Sequence, residues 1–541
     1  MKTFNKIFIL LVLITIGFAC SEDELIENPP HILAADNLYV DAAGFEAGIN
    51  GLYAQFRRER AGQSWGSAND LLIDPALSGT DNCYGNHRSG WARIGNDWGT
   101  RNKPTENHYR DFWNWLYHTI NAANTIIDRA ENPDVDWTEE QKNKVLAEAR
   151  HFRAWCYRHL TFMWGDVPLN LEESSGSNII TDWERTPVDQ VRKQMEEDWL
   201  FAEQHLPEVH EIDGRISKAV AQHYLAELYL TMGEPEKAKT KAEAVINNPN
   251  FSLVTERYGV EADQPGTPFT DMFIHGNSNR SEGNTEVLWT IQNELEVIGG
   301  GYNIMRRWTR NRYHAGFRIG GLSNAVLFTV ENGGRGIGRI GPTRYAMELY
   351  GPEDDRGGIH AWWTYAVLNN PDRVPDGMAV GDTVWFDWQG RDEEESDYYW
   401  PSTSKWDYAN PNDLTGGRSY NDIVYIRLAE TYLLLAEAQF ILGDPGAAAE
   451  TINILRRRAN ASEVTASDIS IDFILDERSR ELWSEEHRRY TLLRTDKWYE
   501  RTQLYNKVGG PNITERDKLF PIPQEVIDAN LTTPMEQNPG Y

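Results

Sequence analysis

Apolar residues recur at helical spacing in two widely separated parts of the chain. From Asn421 onward, Ala429, Leu433, Ala436 and Phe440 fall at i, i+4, i+7 and i+11, one stripe of an α-helix. Gly443 sits where a C-cap glycine would, Asp444-Pro445 stops and restarts the chain, and a second helix is expected from Gly446 to Arg458. The same unit occurs far upstream: residues 224–238 align with 434–448 at Leu225/Leu435, Ala226/Ala436, Glu227/Glu437, Gly233/Gly443, Pro235/Pro445 and Ala238/Ala448. Small residues at a helix crossing, a glycine turn and an alanine on the return helix form the tetratricopeptide pattern. One such hairpin cannot bury its own apolar face, so several must stack. The predicted fold is mostly α: tetratricopeptide-like hairpins build a scaffold, interrupted by a long irregular insertion of loops and short strands.

Other helices follow from similar signals. One is expected from Asp41 to Arg58. Another opens on a T-x-x-Q capping box at Thr138 and Gln141 and carries the apolar run 146–169; a third starts at Thr186-Pro187 and reaches Leu206. Ile471 to Trp498 reads as one long charged helix. Its Glu477, Arg478, Glu481 and Arg488, together with Arg427, Glu430 and Glu437, have the spacing of helix-stabilising ion pairs within a helix. Val287–Gln292 is expected to be a strand, and the Pro-rich tail from Pro521 to wrap across the scaffold.

The chain begins differently. Lys2 and Lys6 precede an apolar run from Ile7 to Ala19, too short for the about 20 residues that span a bilayer and laid out as a secretory signal. Small residues before Cys20 resemble a bacterial lipoprotein signal, which implies acylation of Cys20 and removal of residues 1–19. The acidic Ser21-Glu22-Asp23-Glu24 behind it resembles a surface-export signal of lipoproteins. Residues 20–40 then form a tether, 41–250 an N-terminal helical part, 251–420 a variable insertion, and 421–541 a C-terminal part completing one interwoven domain.

Composition narrows the chemistry. A net charge of −29 without a basic run excludes nucleic acid as a partner. Three cysteines, Cys20, Cys83 and Cys156, make no metal-binding spacing, although the last two could form a disulfide. Gly336–Gly341 satisfies G-x-G-x-x-G, but Pro342 follows at once and no strand–helix context surrounds it, so it reads as a glycine loop. No catalytic motif, metal site or cofactor signature emerges.

The irregular stretch 61–108 holds Trp65, Asp81, Asn82, Tyr84, Arg88, Trp91 and Trp98. Aromatic faces stack on the C–H-rich faces of sugar rings while Asp, Asn and Arg bond the hydroxyls, so this mixture suits a glycan. Tyr302, Arg306, Trp308, Arg312 and Tyr313 form a second such cluster, a second wall. Trp362, Trp363, Trp385, Trp388 and Trp400 read mostly as packing residues.

Several strings together resemble the SusD/RagB family over essentially the whole chain. They are E-A-R-x-F-R-A-x-x-Y-x-x-L from Glu148, G-D-V-P-L from Gly165, Gly214-Arg215, Asn284–Trp289, the block from Ile426, Glu477–Leu482, Glu486–Tyr490, Leu519–Pro523 and Gln537–Tyr541. That resemblance implies a glycan-capturing lipoprotein of the outer membrane, surface-exposed and without enzymatic activity, that serves a SusC-like TonB-dependent transporter. The alternatives are a glycoside hydrolase on a helical scaffold and a peptide-binding member of the same family.

Overall fold

The computed structural model describes residues 35–62, 71–85, 91–176, 178–297, 299–314, 319, 322–393 and 398–541. The leader, Cys20 and most of the tether lie outside these residues. Eleven longer helices are labelled here: α1 Ala42–Arg57, α2 Asn107–Arg129, α3 Glu139–Trp164, α4 Val188–His205, α5 Lys218–Thr231, α6 Pro235–Ile246, α7 Leu428–Ile441, α8 Pro445–Arg458, α9 Ile471–Leu482, α10 Arg488–Arg494 and α11 Trp498–Tyr505. Shorter helical turns are cited by residue. The strands are β1 Cys83–Gly85, β2 Val287–Ile291, β3 Ile340–Pro342, β4 Trp362–Trp363, β5 Tyr365–Val367, β6 Thr383–Trp385, β7 Ser402–Thr403 and β8 Ile423–Arg427. They pair as four antiparallel ribbons, β1–β3, β2–β8, β4–β7 and β5–β6.

The helices stack in sequence, α2 on α3, α3 on α4, α4 on α5, α5 on α6, and then α6 directly on α7 and α7 on α8. The two hairpins that share a sequence pattern are therefore neighbours in space, although the whole insertion separates them in the chain. The stripe Ala429, Leu433 and Ala436 lies in one core cluster with Ala448, Ile452 and Leu455 of the return helix. Gly233 and Gly443 both turn at positive φ, +75° and +83°, with open space where a Cβ would stand. Only the left-handed backbone resists a side chain there, so Gly443→Ala and Gly233→Ala should each cost about 1 kcal/mol, equal within error, in urea unfolding.

α3 is the central helix, buried at almost every residue from Val145 to Trp164. Its buried charges each have a partner on another element: Glu148 with Arg215 (2.9 Å), Arg153 with Asp198 (2.7 Å) and Arg158 with Glu227 (2.7 Å). The Thr138/Gln141 capping box opens it, through Gln141 N to Thr138 Oγ1 and Thr138 N to Gln141 Oε1. At its other end Gly165 turns at φ +74°, and Asp166 accepts from the Val188 amide, capping α4. α4 thus starts one residue later than expected, because Thr186 is held in a backbone bridge to Val167.

Two expectations change. The helix expected from Ile471 to Trp498 is two, α9 and α10, with α11 starting only at Trp498, because Ser484 and Asp496 turn at φ +61° and +53°. The charged residues expected to pair along one helix pair mostly between elements, apart from Arg480–Glu477 at i, i+3. Arg427 bonds Glu286 (2.9 Å), Glu481 and Glu485 (2.6 Å), and Arg458 bonds Glu286 (2.9 Å) and Glu481. Arg356 bonds Asp354 (2.8 Å), Glu477 and Glu481 (2.9 Å each). Burial would raise the Glu481 carboxyl, but the guanidiniums of Arg458, Arg427 and Arg356 hold it well below the carboxylate range. Cys83 and Cys156 are both buried and free. The tail does cross the scaffold: Trp164 Nε1 donates to Pro521 O (2.9 Å) and Asn538 Nδ2 to Trp164 O (3.0 Å). Among the described residues no helix is long and apolar enough to cross a membrane.

Candidate functional site

Six of the residues expected to line a ligand wall are interior. Asp81 is fully buried between Arg488 (2.7 Å) and Arg501 (2.8 Å); burial alone would raise its carboxyl, and the two guanidiniums pull it below its ordinary value. Asn82 donates to Ser479 Oγ, while its carbonyl accepts from Trp483 Nε1. Trp98 packs edge-on against Trp498 and over Phe520. The buried Tyr302 ring carries the Arg418 guanidinium at 4.6 Å. Arg306 is consumed by backbone carbonyls, donating to Gly333 O, Arg335 O and Gly416 O as well as to Ser419 Oγ. Trp308 is wholly enclosed. A guanidinium or carboxylate whose lone pairs and protons are all met by protein offers none to a ligand. Trp65, Arg88 and the Trp91 side chain lie outside the described residues, as does Cys20.

The buried cluster nevertheless supports an exposed one. The short helix Met305–Thr309 ends at Arg310, whose guanidinium lies 3.9 Å from the centroid of the Trp363 ring. Arg310 Nη2 is tied to Asn332 O (3.1 Å), and its Nη1 lies 3.7 Å from Asp407. Asp407 also accepts the Trp363 indole N–H. Trp363 is thereby fixed by one edge and one face, and two further aromatic rings extend from it.

Those rings come from the β5–β6 ribbon, in which Tyr365 pairs with Trp385, Ala366 with Val384 and Val367 with Thr383. Alternation along each strand sends Ala366 and Val384 inward, onto a small core with Tyr313, Val326, Leu368 and Phe386. Tyr365 and Trp385 go outward. Ring centroids run 5.8 Å from Trp363 to Tyr365 and 5.3 Å from Tyr365 to Trp385. Trp385 is 61% exposed. A contiguous row of aromatic rings, half-buried at Trp363 and Tyr365 and exposed at Trp385, costs solvation in the free protein and is a candidate binding surface.

From the sequence alone these tryptophans read mostly as packing residues. That is so for Trp362 and Trp400, both buried, and not for Trp385. The signal lay in the parity of positions 363, 365 and 385 against Ala366, Leu368, Val384 and Phe386, which becomes decisive only with the strand register.

Asp407 gives the site a pH dependence. Burial pushes its carboxyl from 3.8 up to about 6, against the opposing guanidiniums of Arg310 and Arg306. A carboxyl raised in the folded state contributes stability below pH 3.8 that is lost as pH rises through about 6. Asp407→Asn removes that titration. Thermal melts of variant and wild type from acid to neutral pH should show the variant gaining about 2–3 kcal/mol on wild type between pH 4 and 7. A difference that stays constant with pH would rule this out.

Glu59, His159 and His487 converge in the core, with ligand-type atoms all within 4.8 Å. Arg158, which can only donate, lies 3.0 Å from His487 Nδ1, so the proton of this ring is on Nε2 and points at Glu59 Oε1, 2.6 Å away. Burial, with Arg158 and Arg60 nearby, holds His487 well below its ordinary pKa and therefore neutral. In that tautomer Nε2 has no lone pair for a metal, and the group reads as a structural relay.

Comparison with known proteins gives the fold and site a context. A profile described as the SusD family matches residues 285–541, and one described as starch-binding, associating with outer membrane, matches residues 74–230. The SusD-like protein P2 of Formosa agariphila is 29% identical over 567 aligned residues, covering 100% of both chains. Among solved structures, a SusD homolog from Bacteroides thetaiotaomicron superposes with a TM-score of 0.70 at 20% identity, over 94% of this chain and 98% of its own. A laminarin-binding SusD-like protein gives 0.67 at 21%, over 92% and 99%. Surface glycan-binding protein A from Bacteroides fluxus gives 0.67 at 17%, also over 92% and 99%. With residues 74–230 and 285–541 matched by SusD-type profiles and the whole length by a SusD-like relative, this chain belongs to the SusD/RagB family.

Proposed function

We propose that the protein is a cell-surface lipoprotein that captures oligosaccharide and passes it to a SusC-like TonB-dependent transporter in the outer membrane. In this reading residues 1–19 are removed, Cys20 carries the acyl chains, residues 20–40 form the tether, and 41–250, 251–420 and 421–541 make one interwoven domain. The observation that carries glycan capture is the aromatic row Trp363–Tyr365–Trp385, with Trp385 61% exposed. Three neighbouring rings, tilted 40° and 55° from one to the next, can each stack on the C–H face of a sugar in a polysaccharide. Trp65, Arg88 and Trp91 belong to the same reading as further ligand contacts, and Asp81, Asn82, Trp98, Tyr302, Arg306 and Trp308 as the supports that hold the surrounding loops. Solved SusD-like neighbours described as laminarin-binding and as surface glycan-binding favour a glycan over a peptide.

Hydrolysis would require two carboxylates flanking an open cleft. The acid beneath this row, Asp407, is engaged by Trp363 and Arg310. Affinity electrophoresis against a panel of polysaccharides tests the proposal: retardation in at least one gel, with no reducing ends released on long incubation, is expected. Free migration through every gel, or steady sugar release, would defeat it.

A further inference from the structure

A second concave site lies where the end of α3 meets the C-terminal tail. It is an open cleft of about 560 Å³. Arg192 of α4, Arg494 of α10, and Arg516 and Lys518 of the turn Glu515–Lys518 line it, against Glu515 as the lining carboxylate, in a chain whose net charge is −29. Phe162 and Leu519 add apolar surface beside these charges. Such a concentration of cations runs against the charge of the rest of the molecule.

Their bonding leaves capacity unused. Arg494 has a side chain only 2% exposed and meets Glu437 through Nη1, while its Nε and Nη2 have no hydrogen-bond partner. Arg516 reaches Gly540 O through Nη1 and Asp517 through Nη2 at a long 3.4 Å, and its Nε has no hydrogen-bond partner. Buried guanidinium donors are ordinarily filled, and leaving them empty costs free energy that an incoming oxyanion would recover. The remaining cations hold only loose partners. Lys518 pairs with Asp496 and Glu515, both largely exposed, and Arg192 lies 3.7 Å from an Asp189 that is 86% exposed. Exposed pairs of this kind contribute little and exchange readily for another anion.

We infer that this cleft is an oxyanion subsite that takes an acidic sugar residue, one bearing a carboxylate or a sulfate ester. Guanidinium forks match paired oxygens, and the half-buried Leu519 offers the ring an apolar contact. The inference assumes that the ligand is a glycan and does not depend on the aromatic row.

Titration calorimetry on the full chain tests it with trigalacturonate, its methyl ester, a sulfated neutral trisaccharide and inorganic sulfate. At least one acidic trisaccharide should bind, more weakly as salt rises, and the ester should bind at least about tenfold more weakly than the acid. Whichever acid binds more tightly identifies the preferred group. Arg192→Gln and Lys518→Gln, both at the rim, should each lower that affinity about five- to tenfold with unchanged circular dichroism. Equal binding of acid and ester with no binding of the sulfated trisaccharide, wild-type affinity in both variants, or binding of inorganic sulfate without either acidic sugar would overturn it. Arg457→Ala, which removes an exposed cation belonging to neither the cleft nor the aromatic row, should leave acidic binding intact, and the neutral-polysaccharide gels report on the row separately from this cleft.

Discussion

Trp385→Ala lowers affinity for the preferred neutral glycan about 10- to 100-fold, on the order of 1.5–3 kcal/mol, and hardly moves the unfolding midpoint. Both halves of that result follow from where the ring sits. The ring is 61% exposed and, among the described residues, its ring contact is with Tyr365, so truncation opens no buried cavity. A bound sugar loses one whole stacking surface. Trp363→Ala should reduce affinity comparably but also destabilise, because it leaves the Asp407 carboxylate without its indole donor and Arg310 without the ring beneath it. Calorimetry paired with thermal melts separates the two variants. Wild-type affinity in Trp385→Ala, for a glycan that the wild type binds, would remove the row from the binding site.

Glu481→Gln has the largest expected effect on stability, about 3–5 kcal/mol in urea unfolding at neutral pH. Glu481 is the carboxylate shared by Arg356, Arg427 and Arg458, all buried, and a neutral amide leaves three guanidiniums short of countercharge. The sign with pH is opposite to that of Asp407. A carboxyl held below its ordinary 4.5 contributes stability above that pH and loses it as pH falls toward the depressed folded value, so the gap between Glu481→Gln and wild type should narrow in acid. Arg457→Ala makes the contrast: its partner Glu463 is exposed, and its loss should cost under about 0.5 kcal/mol. Equal costs for the two would mean that the buried lattice carries no special load.

What the sequence made legible was local. The repeated hairpin could be read because its stripe, its glycine turn and its returning alanines lie within one short window. The Thr138/Gln141 cap could be read because both hydrogen bonds close over three residues. The ion pairs were misread for the complementary reason. Arg427 and Glu481 look like members of helical ladders, but Glu286, Arg356 and Glu485 reach them from other elements, and helix spacing cannot express that. The breaks at Ser484 and Asp496 carry no glycine or proline to announce them. Of the site, aromatic content was visible and its placement was not. Trp362 and Trp363 are adjacent and chemically identical, yet strand parity buries one and presents the other to the row.

The distant origin of those partners bears on when the protein can fold at all. Asp81 awaits Arg488 and Arg501, Asn102 awaits Asp517, and the two ends of the insertion meet only when β2 finds β8. A ribosome making this chain releases Asp81 and Asn102 long before Arg488 and Asp517 exist, 407 and 415 residues further on, so this part of the structure is completed late. The delay is a hazard in a crowded compartment. If the chain is exported as proposed, threaded unfolded through a translocation channel, the same delay is the condition of passage.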